Sequence, residues 1–220
     1  MQNNIYLTDT YRYEIQTTVL EKGQDDEGQW VALRDNIFHP QGGGQPADAG
    51  WINDQPVRIK KHPNGWIIAY LAPDQNLNVG DAVSAKIDKA QRQYHAALHT
   101  TGHLLSWEMA CFGWKGQKGH HFPNESRVEF SAISDNPTPI EQLDEREIEA
   151  LVNQRLHGDY PVSVEQRGEL RLCRVSEGDE VPCGGTHVDS LGKICQFVIK
   201  SMKYKKGILR ISYDAKHVEV

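Results

Sequence analysis

Cysteine is scarce in this sequence, and long apolar runs are missing from it. Four cysteines occur in 220 residues at irregular spacing, which excludes a small disulfide-stapled scaffold and favours a reducing setting. No stretch approaches the roughly eighteen consecutive apolar residues of a membrane-spanning helix. The first residues, M-Q-N-N, lack the basic and apolar regions of a signal peptide. These absences predict a cytoplasmic protein.

Several catalytic signatures are also missing. The sequence contains no G-x-x-x-x-G-K-[ST] loop and no G-x-S-x-G elbow, so neither a phosphate-loop NTPase nor a serine hydrolase is supported. No ATP site is recognisable in the sequence. Thr100 stands where an H-E-x-x-H zinc peptidase has its glutamate. The chain also lacks the C-x2-C pairs of a finger-type structural zinc site.

The first 88 residues consist of short segments separated by turn residues. This pattern is typical of short β-strands joined by turns. The segments include Y-R-Y-E-I-Q-T-T-V-L, P-V-R-I-K-K and G-W-I-I-A-Y-L, and the turn sequences include P-N-G and N-V-G-D. We therefore predict that residues 1–88 form a small N-terminal β-barrel domain.

Helical signals begin at Asp88, which forms a capping-box pattern with Gln91 before a proline-free stretch to about Cys111. The glycine-rich segment that follows is predicted to be irregular. A second helix is predicted from Thr138 to about Leu156, and a β-hairpin near the C-terminus. Residues 89–220 are thus predicted to form an α/β two-layer domain, which makes the fold class α+β.

His99 and His103 lie four residues apart in the first predicted helix. Residues at this spacing share one helix face, so two imidazoles can reach one metal ion. Far downstream, C-G-G-T-H offers Cys183 as a thiolate and His187 as a third imidazole. A set of thiolate and imidazoles suits zinc better than oxygen-seeking cations. Whether His187 or a water molecule takes the fourth position stays open.

Three consecutive glycines, Gly42, Gly43 and Gly44, precede Gln45. Glycine weakens regular structure and is tolerated where the backbone adopts a positive φ or approaches something closely. This loop is therefore predicted to be functional. His95 is interpreted as a residue that supports the metal ligands or faces RNA, with a chance surface position as the alternative. His120 and His121 are interpreted as bystanders, and Cys111, Cys173 and Cys195 as structural or core residues.

Three motifs of this chain resemble the editing domain of alanyl-tRNA synthetases and its free-standing relatives, the AlaX proteins. The motifs are H-T-T-G-H-L-L, C-G-G-T-H-V and F-H-P-Q-G-G-G-Q-P-A-D-A-G. The glycine-rich motif is similar to the medium-length AlaX class. The resemblance implies the common-domain fold of the threonyl and alanyl enzymes, and zinc held by His99, His103 and Cys183 with His187 as a ligand or close neighbour. It also implies that Gln45 faces the active site.

By this resemblance, the implied function is hydrolysis of the ester that joins serine or glycine to alanine-specific tRNA. Gln45, Thr100 and Thr101 are the predicted catalytic residues and the candidates for contact with a serine hydroxyl. Gly42, Gly43, Gly44 and Gln45 are predicted to bind substrate. Two alternatives stay open: a non-catalytic, zinc-stapled tRNA-binding module, and a different ester or amide hydrolase on the same scaffold.

The chain carries a net charge of −6, yet residues 193–220 hold seven basic and two acidic side chains. A basic patch could hold the phosphates of tRNA even on an acidic protein. The predicted RNA-binding residues lie on and around the C-terminal hairpin: Lys200, Lys203, Lys205, Lys206 and Arg210. The alternatives are a strand edge protected by lysines and an RNA surface around Lys115, Lys118 and His120.

Overall fold

The computed structural model describes residues 1–133 and 136–218. They divide into two compact units: unit 1 holds residues 1–42 and 46–93, and unit 2 holds residues 43–45 and the chain from residue 94 onward. The described elements mix helix and strand, so the predicted α+β class is confirmed. The domain boundary at residue 88 and the two-layer arrangement stay predictions. No helix in the described ranges is long and apolar enough to cross a membrane.

Unit 1 contains a closed barrel of six strands in the order β2-β3-β7-β6-β5-β8. The strands of this unit are β1 (Asn3–Asn4), β2 (Glu14–Asp25), β3 (Gly28–Leu33), β4 (Asp35–Asn36), β5 (Gly50–Ile52), β6 (Gln55–Lys61), β7 (Ile67–Tyr70) and β8 (Ala82–Ile87). Alternate residues such as Val31, Ile59 and Val83 fill the interior, because side chains alternate between the two faces of a strand. Asn53 and Asp54, both with positive φ, form the two-residue turn between β5 and β6.

Helix α1 (Lys89–Ala110) begins in unit 1. The Asp88 carboxylate accepts a hydrogen bond from the Gln91 N–H at 2.9 Å, as the capping prediction requires. The Gln91 side chain does not return that bond, because its Oε1 accepts from the Ala49 N–H at 2.8 Å. The Arg92 guanidinium is fully buried and pairs with the Asp48 carboxylate. It also donates to the carbonyl of Ile37.

Unit 2 contains a four-stranded antiparallel sheet in the order β14-β15-β10-β9 and a smaller sheet of β11, β12 and β13. Its elements after α1 are β9 (Trp114–His120), β10 (Arg127–Ala132), α2 (Glu145–His157), β11 (Val162–Arg167), β12 (Leu170–Val175), β13 (Val181–Pro182), β14 (Ile194–Lys205) and β15 (Ile208–His217). Leu105 of α1, Val152 of α2 and Phe130 of β10 share one hydrophobic core. The Asn153 side chain links α2 to β14 through both backbone polar groups of Phe197.

Three local predictions were wrong. The segment after Cys111 is not irregular but forms β9, in which Gly116 lies where a Cβ would come within 2.4 Å of the Ser106 hydroxyl oxygen. Helix α2 begins at Glu145 rather than near Thr138, because Leu143 is extended and Asp144 caps the helix. Cys173 is buried as predicted, but Cys111 and Cys195 are exposed, since Cys111 follows the end of α1 and Cys195 lies at a register irregularity of an edge strand.

The buried Arg92–Asp48 pair should contribute strongly to stability. Asp48→Asn would leave the guanidinium without a countercharge and is expected to lower the free energy of unfolding by about 3 kcal/mol or more. The matched change Glu14→Gln removes an exposed carboxylate 3.6 Å from Lys86 and should lower the free energy of unfolding much less, because water screens an exposed ion pair. Urea denaturation of both variants measures the difference, and equal losses would contradict this account.

Candidate metal centre

Four side chains of unit 2 lie close together in space, although the two pairs are about 80 residues apart in the sequence. His99 and His103 project from adjacent turns of α1, while Cys183 and His187 lie in the loop that follows β13. One ligand atom of each residue lies within 4.8 Å of the corresponding atoms of the other three. The predicted ligand set is therefore brought together and could hold a metal ion.

The spacing of these atoms fits an ion of the size of zinc. The Cys183 Sγ lies 3.3 Å from His99 Nε2 and 3.2 Å from His187 Nε2. A tetrahedral site with one sulfur at about 2.3 Å and nitrogens at about 2.0 Å from the ion has sulfur–nitrogen edges of about 3.5 Å. The donor chemistry and these two distances are consistent with a zinc site.

A chain of hydrogen bonds orients His99. The Thr186 N–H can only donate, and it lies 3.0 Å from the Gln45 Oε1, which identifies that atom as the amide oxygen. The same oxygen lies 2.8 Å from His99 Nδ1, so Nδ1 carries the proton and donates it. The Nε2 lone pair of His99 is left facing Cys183, as metal coordination requires.

Thr100 supports His187 in a similar way. Its hydroxyl oxygen accepts the Val188 N–H at 3.1 Å and lies 3.2 Å from His187 Nδ1. A hydroxyl oxygen has two lone pairs and can accept from both groups. His187 Nε2 then remains available beside the sulfur of Cys183.

Burial affects the thiol and the imidazoles in opposite ways. Burial raises the pKa of the Cys183 thiol, against the lowering effects of the Gly185 N–H and the charge of Arg171. A metal cation at this point would supply the positive charge that a buried thiolate needs. Burial, followed by the charge of Arg171, lowers the pKa of His103 to about 4. His103 is therefore neutral near pH 7, which is the form that binds metal.

A cavity of about 610 Å³ opens beside the ligands. His99, His103 and Cys183 form part of its lining. Lys115 and Lys118 of β9 line it as well. The cavity has the size of a small-molecule site and carries imidazoles, a thiol and cationic groups on its wall.

The other predicted site residues take different positions. Gly43 lines the cavity, and the Gly44 carbonyl accepts the His121 N–H at 2.7 Å. Gly42 is exposed and belongs to unit 1. Thr101 is fully buried, and its hydroxyl has no hydrogen-bond partner among the residues that the structure describes. The roles predicted for the glycine loop, Gln45, Thr100 and Thr101 toward substrate stay predictions.

His121 was dismissed as a bystander on sequence grounds, but it lies within this centre. It is 4% exposed, lines the cavity, and stacks on His99 with 4.4 Å between ring centroids. Burial lowers its pKa to about 3. No local pattern marked it, because its position depends on pairing between β9 and β10 that the sequence did not predict.

The chain is similar in sequence to known proteins. The family described as threonyl and alanyl tRNA synthetase second additional domain matches residues 170–212. The alanyl-tRNA editing protein AlaX-M of Pyrococcus horikoshii is 28% identical over 88% of this chain and 88% of its own length. The alanine–tRNA ligase of Caldivirga maquilingensis is 28% identical over 95% of this chain, and the match covers 26% of the ligase. The chain spans about a quarter of the length of that ligase.

Gly185 leaves the space that His99 occupies, since a Cβ there would lie 2.2 Å from His99 Nδ1. Gly185→Ala is expected to weaken zinc binding by about 10-fold or more, because it displaces a ligand and its orienting bond. The neighbouring change Gly184→Ala meets nothing within 4 Å and should bind zinc almost normally. Competition with a chromophoric chelator measures both affinities. Equal affinities in the two variants would argue against His99 as a ligand.

Proposed function

We propose, on the premise that this chain belongs to the AlaX family of homologues of the alanyl-tRNA synthetase editing domain, that it is an aminoacyl-tRNA deacylase. Its substrates would be alanine-specific tRNAs that carry serine or glycine in error. The relatives indicate alanyl-tRNA editing as the general function. The observation that carries the proposal is the cluster of His99, His103, Cys183 and His187 on the wall of a cavity. The reaction would take place in the cytoplasm.

Zinc is the proposed ion, and when bound it would polarise the ester carbonyl, lower the pKa of a bound water toward about 7, or hold the amino group of the substrate. Residues of the protein orient the imidazoles that would hold the ion. The Gln45 oxygen keeps the proton of His99 on Nδ1, which faces away from the cluster, and the Thr100 hydroxyl holds the His187 ring through its Nδ1. These two residues therefore act on the reaction by positioning the ligands, in addition to the substrate contacts predicted for them.

The cavity suits an ester substrate that carries phosphate. Its volume of about 610 Å³ lies in the range of sites that enclose small ligands, which is about 300–1,000 Å³. Lys115 and Lys118 line the cavity, and their charge would attract the phosphates next to the 3′ end. An aminoacyl ester is already activated, so positioning and electrostatic stabilisation can supply much of the catalysis.

One observation favours a second candidate function. His187 Nε2 is as close to the Cys183 sulfur as His99 Nε2 is, which supports a closed set of four protein ligands. A closed set is typical of structural zinc sites. The second candidate is therefore a tRNA-binding module in which zinc only stabilises the fold.

The deciding experiment measures release of amino acid from alanine-specific tRNA charged with serine, glycine or alanine. The proposed enzyme should release serine and glycine and leave the alanine ester nearly intact. Cys183→Ala should lose both zinc and activity, whereas Cys111→Ala, at an exposed cysteine outside the cluster, should keep both. Binding of tRNA without release of any amino acid would favour the zinc-stapled module. Hydrolysis of small esters alone would favour a different hydrolase.

The two candidate RNA surfaces lie on one side of the four-stranded sheet. Lys203 is opposite Arg210, Arg210 is opposite Glu129, and Glu129 is opposite Lys118. This row runs across all four strands and ends at β9, next to the cavity. Glu129 pairs with Arg210 at 2.6 Å. Lys203 and Lys118 have no ion-pair partner within the described part of the chain, so this face, which we call the basic sheet face, supports binding of a phosphate backbone.

Charge reversal at the hairpin tests this surface. Lys205 ends β14 and Lys206 lies in the turn before β15, so Lys205→Glu with Lys206→Glu should weaken tRNA binding and reduce the dependence of affinity on salt. Cleavage of a small aminoacyl ester should be nearly unchanged. The adjacent pair Lys60 and Lys61 of unit 1 gives a control with the same change in net charge. Unchanged tRNA affinity at low salt would contradict an RNA-binding role and would indicate that the hairpin is only a sheet edge protected by lysines.

A further inference from the structure

Selection of serine over alanine requires a group that can bond the serine hydroxyl. Of the three residues predicted for that contact, Gln45 and Thr100 already have other partners, and Thr101 does not reach the cavity. The Gln45 amide donates to Thr186 Oγ1 at 2.9 Å, and its oxygen accepts from Thr186 and His99. The Thr100 hydroxyl contacts Val188 and His187. Thr101 is fully buried and is not among the residues that line the cavity.

His121 meets the requirement better. It lines the cavity, and its ring lies nearly parallel to that of His99, at an interplanar angle of 21°. A substrate bound at the metal cluster would therefore have His121 within reach of its amino-acid side chain. Imidazole can accept one hydrogen bond at the nitrogen that carries no proton.

The tautomer of His121 follows from its neighbours. The Tyr213 hydroxyl donates its single proton to the Leu98 carbonyl at 2.7 Å. The same hydroxyl oxygen lies 2.7 Å from His121 Nδ1, so it can only accept there, and Nδ1 must carry the proton. The lone pair of His121 is therefore on Nε2.

Glycines hold open the space for this ring. A Cβ at Gly102 would lie 2.4 Å from His121 Cε1, and a Cβ at Gly119 would lie 2.4 Å from His121 Nε2. The backbone N–H of His121 is fixed by the Gly44 carbonyl. The imidazole is thus held in one place and one orientation, as a specificity contact requires.

We propose that His121 Nε2 accepts a hydrogen bond from the hydroxyl of the seryl group and so determines the preference for serine. The inference rests on the proposed deacylase function. Serine can donate this bond, whereas the methyl group of alanine would cover Nε2 without bonding to it, which costs affinity. Glycine has no hydroxyl and must enter without this contact, so its hydrolysis should not depend on His121 Nε2.

The ratio of serine to glycine release therefore tests the role of His121. His121→Leu is expected to lower kcat/KM for the seryl ester of tRNA by about 10-fold to 100-fold and to change that for the glycyl ester much less. His121→Gln, whose amide oxygen can also accept, should retain more of the preference for serine. Binding of non-hydrolysable seryl and glycyl amides of 3′-aminoadenosine should show the same difference in Kd.

His120→Leu is the matched control, since the His120 ring stacks on Phe122 and is not part of the cavity lining. The ratio of serine to glycine release should be unchanged in His120→Leu. The zinc content of every variant should be measured alongside. Equal loss of serine and glycine release in His121→Leu, with or without loss of zinc, would show that the ring only supports His99 and would overturn the inference. An unaltered protein that releases neither amino acid would overturn the proposed function as well.

Discussion

The hydrogen bond between the Gln45 oxygen and the Thr186 N–H is the interaction on which the metal centre depends. It joins the glycine-rich loop to the C-G-G-T-H loop, and through His99 it reaches α1. Gln45 is fully buried, and a buried amide that loses its partners is costly. The three stretches of chain are therefore fixed together by one side chain, which also decides the tautomer of a proposed ligand.

Burial prepares the imidazoles and the thiol of this centre differently. His103 and His121 are held neutral because burial disfavours their charged forms. The same burial disfavours the thiolate of Cys183, so that ligand gains most from a nearby cation. The neutral imidazole nitrogens can coordinate a metal ion, and the neighbouring sulfur is stabilised as a thiolate by positive charge. Both features favour binding of a divalent cation at this site.

The sequence could predict what local spacing and long motifs determine. The position of His99 four residues before His103, and the C-G-G-T-H loop, identified the cluster because coordination chemistry restricts which residues can share an ion. The start of α1 followed from Asp88, since a cap acts within one turn. The position of β9 could not be predicted, because its glycines resemble a loop until Ser106 and His121 occupy the space above them. His121 was missed for the same reason: its contacts with His99 and Tyr213 arise only from tertiary packing.

An acidic chain that binds RNA must limit its attraction for phosphate to one place. The net charge of −6 opposes approach of RNA in general, while the basic sheet face offers local attraction. Because the row of charges from Lys203 to Lys118 ends at β9, a backbone that follows it arrives at the strand that lines the cavity. On the proposed function, the charge distribution orients the tRNA, and discrimination between amino acids is left to the few polar groups around His99. Under the two proposals, affinity and selectivity could change independently, since lysines at the surface would set the affinity for tRNA and a buried imidazole would set the selectivity for the amino acid.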